Sequence, residues 1–240
     1  MPLLQSITVC RGVWVCGLTA YLPAPFTDEV SCGIFMKNNW IELTKRMRAI
    51  ARTGLTYSKN EFDLQRYREM ERVSLEMMAS YSDSAPEKVG DLFAGEEGYP
   101  TPKLDIRAAV FREDRLLMVR EREDNRWALP GGWVEIGLTP SQAVVKEVRE
   151  ETGFEVVTDR LLAMLDTRLH SHPQSPHHIY KVFFRCEITG GKAETGIETS
   201  EVSFFARDDL PPLSVKRNTV SQLKMLFGFL DHPEQDAIFD

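Results

Sequence analysis

Residues Gly131 to Phe154 read GGWVEIGLTPSQAVVKEVREETGF, two adjacent glycines followed by a segment carrying Glu147, Glu150 and Glu151. At about 100° per residue these three glutamates share one helical stripe, and Val144, Val145 and Val148 share the adjoining one. Like charges three and four residues apart on a helix each cost about 0.2–0.5 kcal/mol, so the stripe is unfavourable unless a cation neutralises it. A hard divalent ion meets that need, and Mg2+ favours a few carboxylates together with water and substrate phosphate oxygens. A glutamate face can equally be a solvated one; the glycine pair and its spacing ahead of the acids favour chemistry.

An element must position these acids, and its boundaries are written in the sequence. Thr139 is a helix N-cap, Pro140 fits the first helical position where its missing N–H costs nothing, and Gln142 completes a capping box. Gly153 supplies the stop.

The stretch resembles the Nudix box, whose pattern is Gly, five residues, Glu, seven residues, then Arg-Glu-aliphatic-any-Glu-Glu-any-Gly-aliphatic. Counting from Gly132, the sequence matches at Glu147, Val148, Glu150, Glu151, Gly153 and Phe154, and Leu129, Pro130 and Gly131 are also typical. Leu138 stands where the first Glu is expected and Lys146 where Arg is expected. The resemblance implies Mg2+ (or Mn2+) dependent hydrolysis of a nucleoside diphosphate linked to another group, by attack of water on one phosphorus. It implies that Glu147, Glu150 and Glu151 hold the metal, with the Gly131 carbonyl as a further ligand, and that Glu147 or another carboxylate takes the proton from water. Glu198 and Glu201, in GIETSEVSFF, fall where family members supply an additional ligand or base; the alternative is surface acid. Leu138 removes one negative charge, which predicts weaker metal binding, and Lys146 cannot copy the planar fork with which the family's Arg orients a glutamate.

The chain has 240 residues, 42% of them hydrophobic, enough for one large domain or two smaller ones with a buried core. A net charge of -7 argues against broad non-specific nucleic-acid binding. Cys10, Cys16, Cys32 and Cys186 show no framework spacing, which points to a reducing, cytoplasmic setting. The apolar run from Gly12 to Leu22 is too short to span a bilayer, so no membrane association is expected.

Residues 1–35 read as an extension of uncertain order, with Met36 as an alternative start. Asn39 with Glu42 signals a first helix, with Trp40, Leu43, Met47 and Ile50 as its apolar face and Gly54 as its end. A second runs from Asn60 toward Tyr81, with Phe62, Met70, Val73, Met77 and Tyr81 inward. Ser84, Pro86 and Glu87 open a third that ends near Gly95. Lys45, Arg46, Arg48, Arg52 and Lys59 make the first helix basic, a solvated face or a nucleic-acid contact. Gly98 to Pro102 reads as a linker. Strands follow at Asp105 to Phe111, Leu116 to Arg120, Phe154 to Val157, Leu161 to Leu165, Ile179 to Ile188 and Val202 to Phe205, with Gly190-Gly191 as a turn and a last helix from Thr219 to Leu230. His170, His172, His177 and His178 share one loop; without cysteine partners it reads as polar or substrate-facing, not as a zinc site.

TGLTYSKNEFDLQRY, DLFAGEEGYPTPKLDIRAAVF and IETSEVSFF are similar to the Nudix subgroup with an N-terminal helical domain, the group of CDP-choline pyrophosphatase and ADP-ribose pyrophosphatase-like enzymes. That likeness implies an α+β fold, a mixed-sheet α/β/α sandwich with a small N-terminal helical domain, divided as 36–98 (helical domain) and 99–240 (hydrolase domain). It also implies a homodimer. Two further readings stay open: a nucleotide-binding or regulatory protein in which Leu138 and Lys146 mark weakened catalysis, and action on RNA through the basic helix.

Overall fold

The computed structural model describes residues 39–82, 86–91, 93 and 98–240. The readings of residues 1–35, of a start at Met36, of the Asn39 and Tyr81 side chains and of Ser84 lie outside what it describes. Helix α1 (Asn39–Tyr57) runs through Gly54 instead of ending there. A side chain at that position would collide with the Tyr67 ring, so the glycine serves close approach of the next helix. That helix, α2 (Glu61–Ser82), starts on Asn60, whose side chain accepts hydrogen bonds from Phe62 N at 2.9 Å and Asp63 N at 3.3 Å. Helix α3 (Pro86–Asp91) closes before Gly95.

The helical faces correct the periodicity reading. Trp40, Leu43 and Ile50 are exposed by 63%, 41% and 58%, and Phe62 by 71%. Inward instead point Thr44, Arg48 and Ala51 on α1 and Ser74, Met78 and Ala79 on α2. Thr44 satisfies its hydroxyl on the Trp40 carbonyl, and the Arg48 guanidinium lies 3.8 Å from the Phe93 ring centroid. Polar groups with local partners can be buried cheaply, and periodicity finds an apolar stripe without saying what covers it.

From Lys103 the period changes. Strand β1 (Lys103–Arg112) is buried from Asp105 to Val110, as expected of a strand covered on both faces. Its hairpin to β2 (Arg115–Glu121) turns at Glu113 and Asp114, both at positive φ. After β3 (Trp127–Ala128) comes helix α4 (Pro140–Thr152). Strand β4 (Phe154–Asp166) is one continuous strand where two were expected, bent by three register shifts. Strand β5 (Ile179–Gly191) includes the two glycines read as a turn: Gly190 and Gly191 pair with Glu155 and Phe154, and a side chain at Gly191 would meet the Gly153 carbonyl. A 3-10 turn (Thr167–Leu169) separates β4 from β5, and strand β6 (Thr199–Ala206), helix α5 (Val220–Asp231) and the short β7 (Ile238–Phe239) complete the element order.

The sheet order is β3-β2-β1-β5-β4-β7, with β6 on β2. Along β1, Ile106, Ala108 and Val110 face α4 through Val144 and Val148, while Ala109 and Phe111 face α5 through Leu226 and Phe227. This is the mixed-sheet α/β/α sandwich, preceded by helices. No helix among the described residues is long and apolar enough to cross a membrane.

Candidate active site

Helix α4 is fixed at both ends as its sequence predicts. Thr139 accepts from Gln142 N at 3.2 Å, the Gln142 side chain accepts from Thr139 N at 2.9 Å, and Gly153 closes the helix at φ 72°. The glycine loop is laid on β1: Ala108 N donates to the Pro130 carbonyl at 2.8 Å and Ile106 N to that of Gly132 at 2.9 Å. The Gly131 carbonyl between them stays outside this ladder. Gly131 itself sits at φ 139°, where a side chain would strike the Ile106 backbone. Its N–H donates to Glu151 Oε2 at 3.0 Å. A β-carbon on Gly132 would lie 3.3 Å from the Glu147 carboxylate. The two glycines thus let backbone and carboxylates approach closely. From the other side Thr199 donates to the Glu151 carbonyl at 2.8 Å, which ties the β5–β6 loop to the end of α4.

The three glutamates are not equivalent. Glu151 is buried, and desolvation together with nearby Glu121 and Glu147 pushes its carboxyl up to about 8 against the opposing pull of Arg107 and the Gly131 N–H. Burial also raises Glu147, opposed by Lys146 and Arg107 and reinforced by Glu150 and Glu198. Glu150 is exposed and lies 3.2 Å from Lys146 Nζ, which also holds Glu135 at 3.0 Å. Beneath them, buried Arg107 is committed to Asp105 at 2.7 and 3.0 Å, and Lys181 reaches the same aspartate at 3.0 Å. Burial and Arg107 push Lys181 down to about 8 despite its aspartate partner.

Among the described residues, no three His, Cys, Asp or Glu side chains converge as a ready-made metal cage. The donor set nevertheless fits a divalent cation: Glu147 and Glu151 are desolvated, repel each other, and lack an ion-pair partner of their own among the described residues. A cation offsets that charge, and oxygen donors suit a hard one.

These groups line a cleft of about 1200 Å³ that also takes in Glu198, Glu121, Trp133, His172, Lys216 and Arg217. Of the expected residues, the cleft brings together Gly131, Lys146, Glu147, Glu150, Glu151 and Glu198. Glu201 does not line it; the carboxylate is held by Arg120, its cross-strand partner, at 2.5 Å. The histidines go to separate partners: His170 to Asp240, His172 to Gln222 and the Val215 carbonyl, His177 to the Phe93 ring, and His178 to Asp166. Leu138 packs against the apolar cluster under α4. On α1, Lys45 is paired with Glu42 and Arg52 with Glu71, and Arg48 is buried, so the helix presents less free basic surface than its sequence promises.

With this geometry in hand, residues 101–226 match the family described as NUDIX domain, and residues 38–93 match the one described as UDP-X-like, N-terminal oligomerisation domain. The chain belongs to the Nudix family. It is similar to a Bacillus subtilis protein named "Putative ADP-ribose pyrophosphatase YjhB", 54% identical over 86% of this chain and 100% of that one. Among solved Nudix structures, an ADP-ribose pyrophosphatase from Streptococcus suis is 41% identical over 58% of this chain and 100% of its own, with a TM-score of 0.54. A UDP-X diphosphatase is 35% identical over 84% of this chain and 98% of its own, with a TM-score of 0.56. The chain is accordingly an enzyme of the Nudix pyrophosphohydrolase type.

Several cleft residues lay outside the motif reading: Asp105, Arg107, Glu121, Trp133, Glu135 and Arg217. A signal existed for the first two. Opposite charges two apart in an apolar strand run share one face, and a buried pair so placed is expected to bond to each other, as it does at 2.7 and 3.0 Å. Arg217 gave no such signal, because its partners Glu121, at 2.9 Å, and Glu123, at 2.8 Å, are distant in sequence.

Proposed function

We propose that this chain hydrolyses the pyrophosphate bond of a nucleoside diphosphate linked to another group, a substrate of the CDP-choline or ADP-ribose type, with Mg2+ or Mn2+ bound. The observation that carries the reading is the pair of desolvated carboxylates, Glu147 and Glu151, turned into one cleft with Lys216 and Arg217. The relatives' names, ADP-ribose pyrophosphatase and UDP-X diphosphatase, support the substrate class.

Glu147, Glu150, Glu151 and Glu198 would hold the metal, with the Gly131 carbonyl as a neutral donor. When bound, the ion neutralises phosphate charge and lowers the pKa of water. The chain's own contributions are distinct from that. Gly131 N–H fixes one oxygen of Glu151, leaving the other for the cleft. Lys146 orients Glu150 from the exposed side. Lys216 and Arg217 line the same cleft, with part of their charge engaged by Glu121 and Glu123, and the remainder faces the leaving phosphate. Water attacks one phosphorus, the bond to the bridging oxygen breaks, and a carboxylate that the metal leaves free, Glu147 or another such as Glu198, takes the proton. Lys146 drawn to Glu150 also favours a second reading, a nucleotide-binding protein with weakened catalysis. A panel of nucleoside diphosphate derivatives with Mg2+ or Mn2+ separates them. We expect turnover that falls at least a hundredfold, about 3 kcal/mol, in Glu151→Gln; substrate binding with no turnover on any diphosphate would favour the second reading.

We further propose that the exposed stripe of Trp40, Leu43 and Ile50, with Phe62, joins two copies of the chain, in keeping with the oligomerisation description matched by residues 38–93. The division of the chain into 36–98 and 99–240 is part of the same proposal.

A further inference from the structure

Trp133 follows the two site glycines and is held rigidly: its backbone forms a bridge with Asp105, and the next residue, Val134, donates to the Leu104 carbonyl at 3.1 Å. The indole is nevertheless 48% exposed and lines the same cleft as the glutamates. Single exposed apolar residues are ordinary, but here Ile197, 95% exposed, lines the cleft as well, beside Glu198. Trp133 and Ile197 therefore set exposed apolar surface beside a charged floor. A purely ionic ligand uses only the floor. A molecule with a diphosphate and a flat ring uses both.

We propose that the Trp133 indole is the stacking platform for the heteroaromatic base of the substrate, so that the base, and not only the pyrophosphate, determines binding. This rests on the hydrolase reading above. The neighbourhood of the ring supports a planar ligand: Lys103 Nζ stands 5.9 Å from its centroid, at the outer limit of cation–π contact, so a stacked ring displaces little. Stacking is tolerant of base identity because every base offers a π-face.

The test compares wild type with Trp133→Ala, Trp133→Leu and Trp133→Phe, using a nucleoside diphosphate sugar and a base-free pyrophosphate-linked sugar. We expect KM for the nucleotide substrate to rise about tenfold or more in Ala and Leu, kcat to change by less than about twofold, and Phe to recover most of the loss. KM for the base-free compound should not move, and the mass in solution should stay that of wild type. Titration of wild type with a nucleoside monophosphate in Mg2+ should quench indole fluorescence, and Trp133→Phe should abolish that quench. An unchanged KM in both Ala and Leu, an equal shift with the base-free compound, or a changed solution mass overturns the inference. If wild type turns over no diphosphate, the hydrolase reading fails separately, and the quench titration alone decides Trp133, its absence in wild type overturning the platform.

Discussion

Leu138 and Lys146 were read from sequence as two losses, one of charge and one of geometry. Leu138 packs against the apolar cluster under α4, and Lys146 meets, besides Glu150, the acid Glu135, which lies three residues before Leu138. A carboxylate for the basic residue is thus present, displaced along the loop, while Leu138 serves packing. Leu138→Glu should therefore do two things. It should cost about 1 kcal/mol from lost apolar burial, lowering the unfolding midpoint by about 2–4 °C in calorimetry, and it should tighten Mg2+ binding measured by titration of metal-free protein. An unchanged Mg2+ affinity would mean that the charge at this position is irrelevant to the metal.

Helix α4 shows what local sequence controls. Its cap, first turn and stop all depend on contacts within a few residues, and each was legible from Thr139, Pro140, Gln142 and Gly153. Thr139→Ala should lower stability by about 1 kcal/mol in denaturant unfolding; because the glutamates lie in the C-terminal half of the helix, KM should stay unchanged, and a KM that rises in step would show that the cap shapes the cleft. What was not legible depends on distant partners. Gly54 looked like a stop because nothing in sequence shows Tyr67 lying across it. Gly190 and Gly191 looked like a turn because pairing with Glu155 and Phe154 is a tertiary fact. Glu198 and Glu201 looked alike, and only the register that sets Glu201 opposite Arg120 separates them.

At the scale of the whole molecule, the helices leave Trp40, Leu43, Ile50 and Phe62 in solvent, large apolar groups of the kind found at association surfaces. Trp40→Glu combined with Ile50→Glu should reduce the mass seen by light scattering to the 27.4 kDa of one chain; a wild type already at that mass would end the dimer proposal. The buried group of Asp105, Arg107 and Lys181 acts at the same scale, since it joins the two parallel central strands at their Asp105–Lys181 register. Swapping such a group for well-packed hydrocarbon often leaves a protein as stable or more so. Here the exchange would also erase the positive field of Arg107 acting on Glu147 and Glu151. A redesign scored on thermal tolerance alone would thus select against catalysis, so this interior should be held fixed while the rest of the core is optimised.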